Sequence, residues 1–323
     1  MSSADMGRIA VIIPAFNAAP YIGRCIESVL AQRADVGELE VVVVDDGSTD
    51  ETAALAASYE GVTVVSRPNG GLSAARNTGV AATDAPWLTF VDADDLLLPG
   101  ALQTLRAGSM TAPVVSGAIT RREVGAELPV AMFRMLDAEE AICEALYQRT
   151  SLNSSACGKL VARRIVEKVP FREGIAYEDL DWFYRAFEEA RFVAVTDTPV
   201  YFYSCTPGSL TNLFSPRRLD VLDVTRRIEE WASRRTPALL RAARERRLSA
   251  SLDMLTRLLG SDLYRDDPTL APRLAEAYAN VRRLRAATIF SPRTRLKSRL
   301  GALYSYLGLP AMRLAARLTR RSS

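Results

Sequence analysis

"EVVVVDDGSTDET", residues 40–52, joins four consecutive valines to a turn that carries Asp45, Asp46, Gly47 and Ser48. A half-buried strand alternates apolar and polar residues. A β-branched run without alternation is the pattern of a strand buried on both faces, as in a parallel sheet covered by helices. The flanking segments repeat the arrangement. Residues 8–13 and 62–65 read as strands on either side, and residues 87–91 as a fourth. Between them, residues 20–32 set Ile22, Cys25, Ile26, Val29 and Leu30 at helical spacing. Ser48 and Glu51 form a capping-box pattern that opens a helix to about Tyr59. Ser73 is expected to cap a helix running through Ala81. Strand–helix alternation at this spacing predicts an α/β fold with a mostly parallel central sheet.

Further along, residues 114–118 and 198–204 read as strands, and residues 137–147 and 178–190 as helices. From about residue 215 the chain becomes rich in Arg, Leu and Ala, with helical patterns at 217–233, 237–259 and 272–287. Two domains are expected: residues 1–214 carrying the sheet, and residues 215–323 forming a helical, Arg-rich region. An apolar fraction of 48% supplies ample core.

The composition excludes several chemistries. There is no histidine, so a Ser-His-Asp triad, a histidine base and a histidine-ligated metal are ruled out. Acid–base and metal work falls to Asp and Glu, which suit hard cations such as Mg2+ or Mn2+. The four cysteines, Cys25, Cys143, Cys157 and Cys205, show neither a CxxC pair nor zinc spacing, and are expected as reduced thiols of a cytoplasmic protein. The polar stretch Met1 to Gly7 is expected to carry no signal segment, and no apolar run is long enough to span a bilayer.

In an open α/β sheet, ligands bind beyond the carboxyl ends of the strands. Four clusters fall there: Pro14-Ala15-Phe16-Asn17, Asp45-Asp46-Gly47-Ser48, Asn69-Gly70-Gly71-Leu72 and Asp92-Ala93-Asp94-Asp95. Each alone is an ordinary turn. Together on one edge they describe a site. Asn69-Gly70-Gly71 is not a GxGxxG fingerprint, so hydride chemistry has little support. Three carboxylates in "VDADD", residues 91–95, repel one another and call for a cation. Glu178 and Asp179 open a helix whose buried stripe is Leu180, Phe183, Tyr184 and Phe187. The helix dipole there favours the ionised carboxylate that a base must be; plain acidic capping of the helix is the simpler reading. Asp181, off that stripe, is expected to be solvated.

These stretches, with "VIIPAFNAAPYIGRCIESVLAQ" (11–32), "NGGLSAARNTG" (69–79) and "WLTFVDADD" (87–95), resemble family 2 glycosyltransferases of the GT-A fold. "SACGKLVARRIV" (155–166), "FREGIAYEDLDWFYRAF" (171–187) and "YFYSCTPGSLTN" (201–212) extend the resemblance, in unbroken order, over residues 8–212. It implies a nucleotide-sugar donor and transfer with inversion at the anomeric carbon. The charge that "VDADD" awaits is then a divalent metal, Mg2+ or Mn2+, on the donor diphosphate. A metal stabilises the departing negative charge without a proton.

By match to the family motif, Asp94 is the metal ligand and Asp92 contacts the ribose, while Asp95 orients the loop. Pro14, Phe16 and Asn17 line the nucleotide, with the Phe16 ring beside the base. Asp46 accepts from the uracil imide, a reading that favours UDP and leaves dTDP open. Arg76 meets the ribose or diphosphate, and Gly70 and Gly71 permit close backbone approach. Asp179 is the base, with Glu178 its partner toward acceptor or loop. Lys159 and Ser209 match recurrent positions, for local structure or for diphosphate or acceptor contacts. No histidine stands near residues 201–209, which puts a third protein ligand to the metal in doubt. The implied acceptor is a hydroxyl of a lipid-linked or surface glycan, in the polysaccharide chemistry of the cell envelope. A sugar-nucleotide pyrophosphorylase would need a Gly-rich, Arg-bearing loop after the first strand, where "PAFNAAPY" has no glycine. A non-catalytic sugar-nucleotide-binding scaffold is the other alternative, against which the intact acidic pairs stand.

The net charge of +3 hides an asymmetry. From Ala277 to Ser323 there are eleven Lys and Arg and no acid, which leaves the preceding 276 residues acidic on balance. Within residues 291–323, Leu296, Leu300, Leu303 and Leu307 recur at helical steps, as do Leu314 and Leu318. The pattern suits a helix lying in a membrane interface, and the family resemblance implies peripheral attachment at the inner face; a helical lid or dimer contact is the plainer reading. Nucleic acid is not expected, because no stacking aromatics interleave the arginines.

Overall fold

The computed structural model describes residues 7–122, 130–204, 215–261 and 267–320. Its elements run β1 (Ile9–Ala15), α1 (Ile22–Leu30), α2 (Arg33–Val36), β2 (Leu39–Asp45), α3 (Thr52–Ala57), β3 (Val62–Ser66), α4 (Leu72–Ala81), β4 (Trp87–Phe90), β5 (Leu96–Leu97) and α5 (Ala101–Ser109). There follow β6 (Val114–Thr120), β7 (Arg134–Asp137), α6 (Ala138–Tyr147), β8 (Lys159–Ala162), α7 (Arg163–Lys168), α8 (Glu178–Ala190) and β9 (Phe192–Phe202). The remainder is helical: α9 (Asp220–Ala232), α10 (Pro237–Ser261), α11 (Leu270–Ile289), α12 (Leu296–Tyr304) and α13 (Gly308–Arg320).

Among the described residues a nine-stranded sheet has the order β3-β2-β1-β4-β8-β6-β9, and β5 and β7 both pair with β9. β1 to β4, β6 and β9 run one way; β5, β7 and β8 run against them. The sheet is therefore mixed and mostly parallel. The valine run behaves as its sequence requires: Val41, Val42, Val43 and Val44 are buried in β2, between β1 and β3. Parallel register sets Ala15 beside Asp45 and Asp45 beside Ser66, so β1, β2 and β3 end together. The Val91 N–H donates to the Ile12 carbonyl, which brings the end of β4 to the same edge. Gly79 lets α4 lie close on β1, since a Cβ there would come 2.3 Å from Ile12 Cγ2.

Several local expectations change. The Ser48–Glu51 capping box does not form. α3 opens at Thr52, whose N–H donates to Asp50 Oδ1, and Ser48 Oγ instead accepts from the Asn17 N–H. Gly71, not Ser73, caps α4; its φ of 85° is one that glycine adopts without strain. Ser73 is buried inside the helix. The strand expected at 198–204 is longer at its start and shorter at its end, running from Phe192 to Phe202. β5, β7 and β8, two to four residues each, carry too few positions for a periodicity to show.

Two compact units divide the chain. The first takes Met1–Ile142, Thr150–Gly174 and Glu178–Pro207; the second takes Cys143–Arg149, Ile175–Tyr177 and Gly208–Ser323. In the second, Glu229 of α9 accepts from Arg244 and Arg247 of α10 and from Arg283 of α11, tying three helices to one carboxylate. Among the described residues no helix is long and apolar enough to cross a membrane.

Candidate active site

The loops after β1 and β2 are laced together. The Asn17 N–H donates to Ser48 Oγ at 3.0 Å, and Asn17 Oδ1 accepts from the Thr49 N–H at 2.8 Å. Asn17 holds a φ of 48°, a left-handed conformation that Asn tolerates better than most residues. Pro14 is buried in β1, whereas nearby Phe16 is 52% exposed at the edge. Asp46 faces inward. Its carboxylate accepts from the N–H groups of Gly70 at 3.0 Å and Gly71 at 2.7 Å, with Arg67 Nε at 3.5 Å. This fixes the Asn69-Gly70-Gly71 loop over the end of β2.

Arg76, expected beside ribose or diphosphate, is 2% exposed. Nη2 donates to Asp92 Oδ1 at 2.9 Å and Nη1 to Glu178 Oε1 at 2.7 Å, while the guanidinium lies 5.3 Å from the centre of the Phe171 ring. It therefore joins the loop after β4 to the start of α8. Asn77 supports the same junction by pairing with both backbone groups of Phe171 at 2.9 and 3.0 Å.

Asp95 ties its loop to β9, accepting from Tyr201 Oη at 2.8 Å and from the Ser204 N–H at 2.7 Å. The Asp92 N–H donates back to Tyr201 Oη at 3.1 Å. Burial, with the charges of Asp92 and Asp94 nearby, pushes the Asp95 carboxyl up to about 7. Asp92 and Asp94 are half-buried. Asp179 keeps an accessible edge, and one of its oxygens accepts from the Leu180 N–H at 2.6 Å. Burial and the adjacent Glu178 raise its carboxyl to about 7, and the Arg76 charge opposes that rise. Lys159 is fully buried on β8, donates to Asn153 Oδ1 at 3.2 Å, and is pressed down to about 8 by burial.

Asp181 corrects its expectation. It is fully buried, not solvated, and pairs with Arg185 at 3.0 Å and Arg172 at 3.4 Å. Ser209 and Cys205 lie outside the described residues. The sequence reading missed Tyr201, Asn77 and Phe171. The signal for Asn77 is its place directly after Arg76 in "ARNTG"; nothing local to Tyr201 or Phe171 separates them from core aromatics.

Carboxylates therefore outnumber cations here: Asp92, Asp94, Asp95, Glu178 and Asp179 stand with the buried Arg76 and Lys159. Such a surplus, which adds to the effect of burial in raising two of the carboxyls, fits a divalent cation. Among the described residues no three Cys, Asp or Glu side chains gather closely enough to hold a metal by themselves. The donor set thus fits an ion that brings most of its ligands, water and phosphate oxygens, with it.

The comparisons accord with this geometry. The sequence model of "Glycosyl transferase family 2" matches residues 10–165. The uncharacterized glycosyltransferase EpsJ of Bacillus subtilis (strain 168) is 29% identical over 219 residues, which cover 64% of this chain and 63% of EpsJ, a little under two thirds of that relative. The fold matches the crystal structure of S. aureus TarS 1–349 with a TM-score of 0.65 at 20% identity, over 98% of this chain and 92% of that one. The same TarS segment in complex with UDP-GlcNAc gives 0.63 at 18% identity, over the same shares. Glucosyl-3-phosphoglycerate synthase from Mycobacterium tuberculosis, in complex with Mn2+, UDP and phosphoglyceric acid, gives 0.50 at 23% identity, over 70% of this chain and 80% of that one. The sequence motifs thus stand at the carboxyl edge of a GT-A-type sheet, and the chain is similar to the family 2 glycosyltransferases over residues 10–165.

Proposed function

We propose that the chain moves a sugar, with inversion, from a nucleoside diphosphate donor to a hydroxyl acceptor. The observation that carries the reading is Arg76, whose one guanidinium holds both Asp92 of the donor-side loop and Glu178 of the helix that bears Asp179. A carboxylate beside the reacting centre and a base one residue along are thus held by a single buried cation. In this reading Asp179 takes the proton from the acceptor hydroxyl as the bond to the anomeric carbon forms. A base whose proton affinity lies near neutral pH is well matched to that task. Glu178 and Arg76 position it.

On the donor side Phe16 lies beside the base, and Pro14 and Asn17 shape the floor. Asp46 recognises the uracil edge while holding the backbone of Gly70 and Gly71 in place. The carboxylate of Asp92 faces the ribose, and Asp94 is the protein ligand to a Mg2+ or Mn2+ on the diphosphate. Bound there, the metal would stabilise the leaving diphosphate as a Lewis acid. The UDP and UDP-GlcNAc complexes of TarS and the Mn2+ and UDP complex of the mycobacterial synthase support a UDP-sugar and a divalent ion; dTDP presents the same base edge. Residues 1–214 are the catalytic domain and residues 215–323 a helical region. The acceptor is a lipid-linked or surface glycan of the cell envelope, reached from the cytoplasm with residues 291–323 attached peripherally to the membrane.

The test is a screen of nucleotide sugars by thermal shift, with and without Mn2+, followed by nucleoside diphosphate release in the presence of acceptor glycans. One donor should raise the melting temperature in a metal-dependent way by mass action. Binding without release for every acceptor offered would favour a non-catalytic sugar-nucleotide-binding protein.

A further inference from the structure

We propose that the outward face of α12 docks on an anionic lipid bilayer. The inference deepens the membrane placement above, and its test is independent of the chemistry at Asp179. A surface helix of a globular protein ordinarily turns its large apolar residues inward. α12 is reversed. Leu296, Leu300 and Leu303, continued by Leu307 in the 3-10 turn Ser305–Leu307, follow one helical stripe, and all four are between 56% and 68% exposed. The buried side of the same segment is Ser298, Ala302 and Ser305. Gly301 permits close approach to α10, since a Cβ there would lie 3.0 Å from Leu252 Cδ1. Small residues thus form the buried side of the helix, and the leucines leave most of their surface outside it.

Charge selects the occupant. Lys297 and Arg299 are exposed on the same helix, and no acid occurs anywhere from Ala277 to Ser323 among eleven Lys and Arg. A second copy docked through this face would set like charges against each other, because a two-fold contact places the same patch on both sides. A nucleic acid would answer the charge and leave four leucines against phosphates. A bilayer with anionic headgroups satisfies both: the leucines enter the acyl boundary, and the basic side chains reach the phosphates.

The experiment uses the full chain in flotation with vesicles of phosphatidylcholine alone or mixed with phosphatidylglycerol, at low salt. Flotation is expected with the mixed vesicles and much less with the neutral ones. Leu300→Glu with Leu303→Glu should weaken it by about tenfold or more, as the loss of apolar burial implies. Lys297→Glu with Arg299→Glu should weaken it in the mixed vesicles only. Both double variants alter exposed positions, and the one bond lost, from Arg299 Nε to the Ile289 carbonyl, lies at the surface, so their melting temperatures should stay close to that of the parent and their nucleotide-induced shifts should match it, which separates docking from folding and from donor binding. No flotation with mixed vesicles, or undiminished flotation of the leucine variant, would overturn the proposal. So would a dimer in light scattering that the leucine variant converts to monomer, which would assign the face to a second copy. Absence of sugar transfer would leave these outcomes unchanged.

Discussion

Burial and Glu178 raise the Asp179 carboxyl to about 7, so near neutral pH the acid and its conjugate base are both well populated. Asp179→Asn should lower turnover by about 10²–10⁴-fold, typical for a lost general base, with donor affinity nearly unchanged. The same variant has an opposite effect on stability. Because the folded chain binds the Asp179 proton more tightly than the unfolded chain, stability falls as pH rises from the ordinary carboxylate range to about 7, and the cost is complete above it. The asparagine removes that cost. Its melting temperature should exceed that of the parent above the window and match it below. A parallel loss of activity and of stability at high pH would instead make Asp179 a structural carboxylate. At the donor loop, Asp94→Ala should abolish the Mn2+-dependent part of a UDP-induced melting shift while leaving the fold, because a half-buried loop carboxylate is not core. An unchanged shift would remove Asp94 from the metal.

At the level of elements, α4 is the joint between the donor edge and α8. Arg76→Gln leaves Asp92 and Glu178 without their shared cation. Removing one partner of a buried ion pair costs about 3–5 kcal/mol, and the partial exposure of Asp92 puts this case at the lower end. Asn77→Ala orphans both backbone groups of Phe171, a loss of about 1–3 kcal/mol. Denaturant unfolding reads both, and Arg76→Gln alone should also depress turnover in proportion to the misplacement of Glu178. The first four strands and the exact span of α8 were legible because long apolar runs and a strong helical stripe leave one reading. The junction was not legible. A guanidinium that bridges residues 16 and 102 positions away is a fact of tertiary packing, and the family resemblance implied only that Arg76 sat near the site. Asp181 was misplaced for a related reason. The stripe rule assumes one wet face, but α8 also buries Trp182 and Ala186, so its nominal outer face is covered and Asp181 survives there by pairing with two arginines.

Across the whole molecule the charge asymmetry resolves into separate structural roles for the arginines of the second unit. Some exposed basic residues lie on α12, and others converge on Glu229. Truncating the chain before α12 would confuse these roles, because Ala302, Met312 and Ala316 are buried in the C-terminal helices and would be lost with the leucines. Point substitution keeps them apart. Glu229 is held down to about 2, against an opposing burial effect, by hydrogen bonds from Arg283, Arg247 and Arg244. A carboxyl depressed on folding stabilises the folded state above its ordinary range, and that stability is lost as pH falls through the folded value. Glu229→Gln should therefore cost about 3 kcal/mol near neutral pH, and the difference from the parent should shrink as pH drops toward 2. None of the residues assigned to donor or base lies in α9, so turnover below the unfolding transition, and the metal-dependent nucleotide shift, should stay at the level of the parent. Denaturant unfolding at two pH values, paired with one rate measurement, decides it. A stability loss that does not vary with pH would show that Glu229 acts through packing and not through its charge. A fall in turnover while the variant is still folded would show that the arginine cluster also serves the reaction.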